Sequence, residues 1–204
     1  MASDSDQDLE LTAHAPPEYD EAEERRIVEQ HAALTEAIHR KELRDRPLDE
    51  SLVCEFHRRL FAGVRSHAGR ARSPEFGSPA LTYGPWRSTP KEDVPRELDA
   101  CLSEGRNLIR QVHDVVDSED YVTSAIRVAL HVHARLIRIH PFEDGNGRVG
   151  RLVMSHLMVV FGLQPVAFEV PKDEYLAALN HHYEQRDLEP LVDLALELLA
   201  SQLP

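Results

Sequence analysis

From Leu152 to Phe161 the chain is apolar almost all the way round a helix. Leu152, Val153, Met154, Leu157, Met158, Val159, Val160 and Phe161 leave only Ser155 and His156 as polar positions. A helix of that kind is stable only when other elements surround it, so the fold must be organised around this segment. Directly before it stands His140-Pro141-Phe142-Glu143-Asp144-Gly145-Asn146-Gly147-Arg148-Val149-Gly150-Arg151. At average residue usage its nine specifying positions would recur by chance with a probability on the order of 10^-11 per starting point.

The chemistry of that run points to nucleotide handling. His140 is the one group in it whose ordinary pKa, roughly 6.5, lies near neutrality, which suits a base that takes a proton from an attacking hydroxyl. Asp144 offers a hard oxygen ligand, and a nucleotide-borne Mg2+ needs only one or two carboxylates beside its phosphate oxygens. Gly145-Asn146-Gly147 opens an apolar helix with little side-chain bulk, so its backbone N–H groups can converge on an anion. Arg148 and Arg151, three residues apart, put two guanidinium forks on one helix face just beyond that turn. Phe142 reads as a core anchor for the loop, and Pro141 as a restraint holding His140 in extended backbone. Glu143 reads as a solvated loop residue.

The remaining composition narrows the partners. With 42% hydrophobic and 29% charged residues in 204, the chain has the makings of one sizeable core. Residues 1–24 carry nine acids and no Lys or Arg, and the whole chain has a net charge of −13. An acidic, disordered tail over 1–20 and a single domain over 21–204 are expected. That charge argues against a nucleic-acid partner, which must be met with Lys and Arg. A protein target is expected instead. Cys54 and Cys101 fall inside helical patterns and read as reduced thiols. No apolar leader or membrane-length run occurs, so a cytoplasmic protein with no membrane partner is expected. His131 and His133, two apart on a helix, diverge by about 200 degrees and cannot share one metal ion.

Periodicity predicts an all-α fold. A charged helix over 18–44 precedes a second with Leu52, Val53, Phe56, Leu60, Phe61 and Val64 on one face. Residues 67–90 dissolve into Gly, Pro and Ser with short apolar pieces, which is loop and hairpin chemistry. Helices follow over 94–116, 120–139, 172–185 and 188–203.

The run from His140 to Arg151 resembles, without a substitution, the signature of the Fic family, His-Pro-Phe-x-Asp/Glu-Gly-Asn-Gly-Arg-x-x-Arg. The resemblance implies a Fic-type helical bundle around a central buried helix, with a short β-hairpin flap. It implies transfer of AMP from ATP to a Ser, Thr or Tyr hydroxyl of a target protein, with Mg2+ and release of pyrophosphate. In that scheme His140 and Asn146 are catalytic, Asn146 fixing the phosphate under attack, and Asp144 holds the metal. Gly145, Asn146, Gly147, Arg148 and Arg151 bind phosphates, Arg151 the terminal one. Tyr83, Gly84 and Trp86 would form the flap that docks the target. Phosphoryl-transferring relatives typically carry Lys at the second turn glycine, so Gly147 favours nucleotidyl transfer. The alternatives are transfer of UMP, GMP, a phosphoryl group or phosphocholine on the same fold, and a non-catalytic interaction module. Many Fic proteins are restrained by a segment of Ser or Thr, three residues, Glu, then Gly or Asn. Ser51–Glu55 and Ser88–Glu92 miss it at the last position, so a separate antitoxin-like inhibitor is expected.

Overall fold

A computed structural model describes residues 18–83, 85–165 and 170–202. Seven α-helices and one hairpin make up the described residues: α1 (Glu21–His39), α2 (Glu50–Leu60), β1 (Thr82–Tyr83), β2 (Trp86–Arg87), α3 (Val94–His113), α4 (Tyr121–Ile139), α5 (Asn146–Val160), α6 (Lys172–Gln185) and α7 (Glu189–Gln202). The two strands pair antiparallel, Thr82 opposite Arg87 and Tyr83 opposite Trp86. Among the described residues no helix is long and apolar enough to cross a membrane.

The expected disordered tail lies outside the described residues up to position 17, but residues 18–20 belong to the fold. Tyr19 stacks on Phe61 at 6.5 Å, and the Arg65 guanidinium lies over the Tyr19 ring, 4.3 Å from its centre. Asp20 starts α1 with a capping box: its Oδ1 accepts the Glu23 N–H at 2.8 Å, and Glu23 Oε2 accepts the Asp20 N–H at 3.2 Å. That exchange is worth about 1 kcal/mol and sets the helix start at Glu21 rather than Glu18. The helix ends at His39, short of the expected end at residue 44, and Lys41 turns the chain with φ of 62°.

Helix α5 is the centre. Val149, Leu152, Val153, Met154, Leu157, Met158 and Val159 are all buried, and α1, α2 and α4 pack around it. Its closest partner is α4, and the approach is set at Gly150. A Cβ there would stand 3.0 Å from His133 Nδ1 and 3.1 Å from Ile137 Cδ1. Helix α3 covers the far side of α4, and α7, paired with α6, covers the rest. Hydroxyls tie the layers together: Tyr121 donates to the Phe161 carbonyl and Tyr183 to the Ala134 carbonyl, each at 2.8 Å. Cys54 on α2 and Cys101 on α3 are both free thiols.

Three histidines are enclosed in this core. Burial is the main cause that lowers His57, His133 and His156 to about 4 each. The folded form binds no proton at these rings between about pH 6.5 and 4, while the unfolded chain does. Stability is therefore unaffected above about pH 6.5 and falls as pH drops from there towards 4, by up to about 3 kcal/mol per ring. Thermal melting between pH 7 and 4.5 should show a steady decline that is shallower in His156→Leu. Equal slopes in the two proteins would contradict a neutral, buried His156.

Candidate active site

The run from His140 to Arg151 occupies the corner between α4 and α5. His140 caps α4, its N–H donating to the Leu136 carbonyl at 3.0 Å. The loop 140–145 then turns the chain into α5, with Gly145 as N-cap at φ 75°. Asn146 closes the loop. Its Oδ1 accepts the Phe142 N–H at 2.9 Å and its Nδ2 donates to the Phe142 carbonyl at 2.8 Å. With only 4% of its surface exposed, the Asn146 amide is spent on holding the loop, so what this residue offers an incoming phosphate is its backbone N–H. Phe142 is fully buried as expected and lies flat on His57, with rings 4.0 Å apart at 9°. His57 Nδ1 in turn accepts the Gly69 N–H at 2.7 Å, and Phe56 beside it is part of the same core.

The backbone at His140 is not extended. It sits in the left-handed region, φ 56° and ψ 60°, ahead of Pro141. A non-glycine residue held there costs about 1–3 kcal/mol and persists only when its surroundings over-determine it. Arg72 does so. Fully buried, it donates from Nε and Nη2 to the His140 carbonyl at 3.0 and 2.7 Å and from Nη2 to the Ile139 carbonyl at 3.2 Å. Its own N–H donates to the Pro141 carbonyl at 2.7 Å. Sequence reasoning missed this residue because it lies in the irregular stretch where no periodicity marks a core position. Its neighbours, Gly69 and Arg70 in a loop of small residues, give no signal either.

Glu143 is not a solvated residue. Its Oε1 accepts the Ser78 N–H at 2.5 Å and its Oε2 the Ser78 hydroxyl at 2.8 Å, pinning the segment before the hairpin to the loop. The hairpin itself forms where the flap was expected, and Tyr83 and Trp86 face one another across it. Gly84 lies outside the described residues. Tyr83 stacks on the His140 ring at 4.4 Å and 15°, with its hydroxyl donating to the Arg138 carbonyl at 3.3 Å. Trp86 is turned to the body of the protein rather than outward for docking. Its Nε1–H donates to Asn180 Oδ1 at 2.5 Å, its ring meets Tyr183 edge-on at 5.4 Å, and Arg138 lies 4.7 Å over its face. An indole with a polar tip is more stable with that N–H satisfied on α6 than in an exposed strand.

Two clefts flank the N-terminal end of α5. One, of about 510 Å³, is lined by Tyr19, Glu24, Ile27, Val28, His31 and Ala32 of the α1 region together with Arg148 and Arg151. The other, of about 450 Å³, has Arg65, His67, Phe76, Gly77, Ser78, Glu143 and Asp144 on its walls. The first is cationic. Among the described residues no carboxylate pairs with Arg148 or Arg151 within 4 Å. Burial lowers the Arg151 guanidinium below its ordinary value, and burial followed by Arg151 and Arg148 lowers His31. Arg148, Arg151 and His31 thus face one cleft against the single carboxylate of Glu24, an arrangement that an anion would relieve.

Asp144 holds its position through Oδ1, which accepts the Gly145 N–H at 2.6 Å. Among the described residues no three His, Cys, Asp or Glu gather into a metal cage. One carboxylate in the wall of a cleft fits a Mg2+ that arrives on phosphate oxygens and keeps its waters. Asp144 is the residue that would hold it.

Gly145 is where the loop has least freedom. A Cβ there would fall 2.3 Å from Phe61 Cε2, at a backbone conformation that penalises any L side chain. Gly145→Ala should cost about 2–4 kcal/mol, the sum of the left-handed and overpacking penalties, in urea denaturation. A loss under about 1 kcal/mol would show that the loop relaxes freely.

Residues 47–158, from the start of α2 almost to the end of α5, match the family model described as Fic/DOC family. Over 143 residues, 69% of this chain, the sequence is 38% identical to a protein adenylyltransferase, fic-1, of Caenorhabditis elegans, and the match spans 25% of that protein. The fold is similar to that of a Fic domain-containing signaling protein of Bacteroides thetaiotaomicron, at TM-score 0.68 and 21% identity, covering 90% of this chain and 73% of the other. It is also similar to the BepC protein of Bartonella tribocorum solved with bound AMPPNP, at TM-score 0.64 and 20% identity, covering 87% and 84%. With the family model matched over more than half of its length, the chain belongs to the Fic/DOC family.

Proposed function

We propose that this protein is a protein adenylyltransferase, moving AMP from Mg-ATP to a hydroxyl side chain of a target protein. The observation that carries the reading is the corner at α4 and α5: the loop 140–145 joins His140 directly to a helix N-terminus whose first turns carry Arg148 and Arg151, with no carboxylate on either among the described residues. The worm relative's name and the AMPPNP bound to the Bartonella protein support adenine nucleotide as the donor.

In the proposed reaction the target hydroxyl gives its proton to His140 and attacks the alpha phosphorus, and pyrophosphate leaves. The α5 N–H groups and Arg148 meet the charge that grows on the phosphate oxygens, and Arg151 holds the leaving end. When bound, Mg2+ would add positive charge on those oxygens, held on the protein side by Asp144. By the family resemblance Gly147 favours this transfer over that of a phosphoryl group, and it leaves Arg151 Nη1 an ordinary contact distance of 3.6 Å from a Cβ placed there. The same cationic cleft is where an acidic group of an antitoxin-like inhibitor would compete with ATP.

Incubation with Mg2+ and alpha-labelled nucleotides should put label from ATP on the protein or on a lysate target, and His140→Ala should abolish it. Label from another nucleotide alone would replace AMP by that group, and no label from any would remove the nucleotidyl reading. Arg151→Ala should raise the KM for ATP about 10- to 100-fold, the loss of a charged phosphate contact of about 1.5–3 kcal/mol. An unchanged KM would place the terminal phosphate elsewhere.

A further inference from the structure

One side chain links the base to the flap. The Arg72 guanidinium grips the carbonyls of Ile139 and His140 on one side. On the other it reaches the root of the hairpin, donating to the Ser78 carbonyl at 3.3 Å, Ser88 Oγ at 3.1 Å and the Thr89 carbonyl at 2.9 Å. Ser88 passes the contact on: its Oγ accepts the Leu81 N–H at 2.8 Å, and its own N–H donates to the Leu81 carbonyl at 2.8 Å, bracketing β1 and β2. The hairpin so fixed carries Tyr83, whose ring covers the His140 imidazole. The circuit therefore closes twice on the same histidine, once through its carbonyl and once through its ring.

We propose that Arg72 is a positioning residue for His140: it holds the histidine in its left-handed backbone conformation and locks the flap to it, so that base and flap act as one unit. Among the described residues no carboxylate lies within 4 Å of the guanidinium; its partners are carbonyl oxygens and one hydroxyl. A planar guanidinium can reach all of these acceptors at once, Nη2 sharing its two hydrogens among four of them, and a lysine ammonium cannot. Glu143 and Glu92 act on this buried charge only from beyond ion-pair distance, and its hydrogen bonds go instead to carbonyls at the single strained residue of the loop.

The kinetic arm of the test rests on the adenylyl-transfer reading, and the spectroscopic arm does not. Arg72→Lys and Ser88→Ala are compared with the unaltered protein by histidine side-chain NMR, with the His140 signals identified by their loss in His140→Ala. Both substitutions should shift or broaden the His140 imidazole signals while those of His156, buried in the second half of α5, stay in place. In the labelling assay Arg72→Lys should lower kcat on the order of 10- to 100-fold with KM for ATP within about twofold. Unmoved His140 signals in a folded Arg72→Lys overturn the proposal, as does a kcat within about twofold of the unaltered protein. Should Arg72→Lys fail to fold, Ser88→Ala decides on the same signals, and unmoved ones overturn it. An unaltered protein that labels nothing refutes adenylyl transfer and leaves the NMR result to judge Arg72.

Discussion

A helix that is apolar on nearly every face must be enclosed, yet its first turn carries backbone N–H groups with no helical partner. In α5 those two demands meet at one corner. From Val149 onwards the helix is wrapped by α1, α2 and α4. At its start, however, the enclosure gives way to clefts lined by Arg148, Arg151 and Asp144. The positive end of the helix dipole is left facing the place where the neighbouring side chains are basic. Burying the helix and building an anion site are, in this fold, two ends of the same element.

Holding the base at that corner requires strain, and the structure concentrates the compensation. His140 occupies left-handed backbone before a proline, and the restraint comes from a fully buried arginine about seventy residues earlier in the chain, from the Asn146 amide closing on Phe142, and from His57 lying flat on the Phe142 ring. Each of these contacts joins the loop to a different element. The loop can therefore keep one shape although none of its residues lies in a helix or strand. Aromatic and charge-assisted contacts of this sort work in a dry interior, where a donor left unmet costs more than a met one contributes.

The flap shows how a nominal surface element is recruited to the body. Two residues per strand are too few for a hairpin to stand alone in water. Trp86 on Asn180 and Tyr183, Glu143 on Ser78, and Arg72 on Ser88 and Thr89 supply what the pairing lacks. In those contacts the half-buried Trp86 ring belongs to the body of the protein, and Tyr83 spends its ring on His140.

The residues themselves determined the helical class, the central position of α5 and the identity of the basic and carboxylate groups in the run 140–151. These follow from local periodicity and from a dense motif, both of which are read within one or two turns of chain. Only the tertiary structure decided what Arg72, His57, Glu143 and the Asn146 side chain do, and that His140 is left-handed rather than extended. Arg72 lies 68 positions from the carbonyl it grips and Glu143 65 from the serine it anchors. Contacts over such separations leave no period in a sequence. A buried arginine bound to carbonyls looks, residue by residue, the same as a solvated one, because the acceptors that distinguish them are backbone oxygens present at every position.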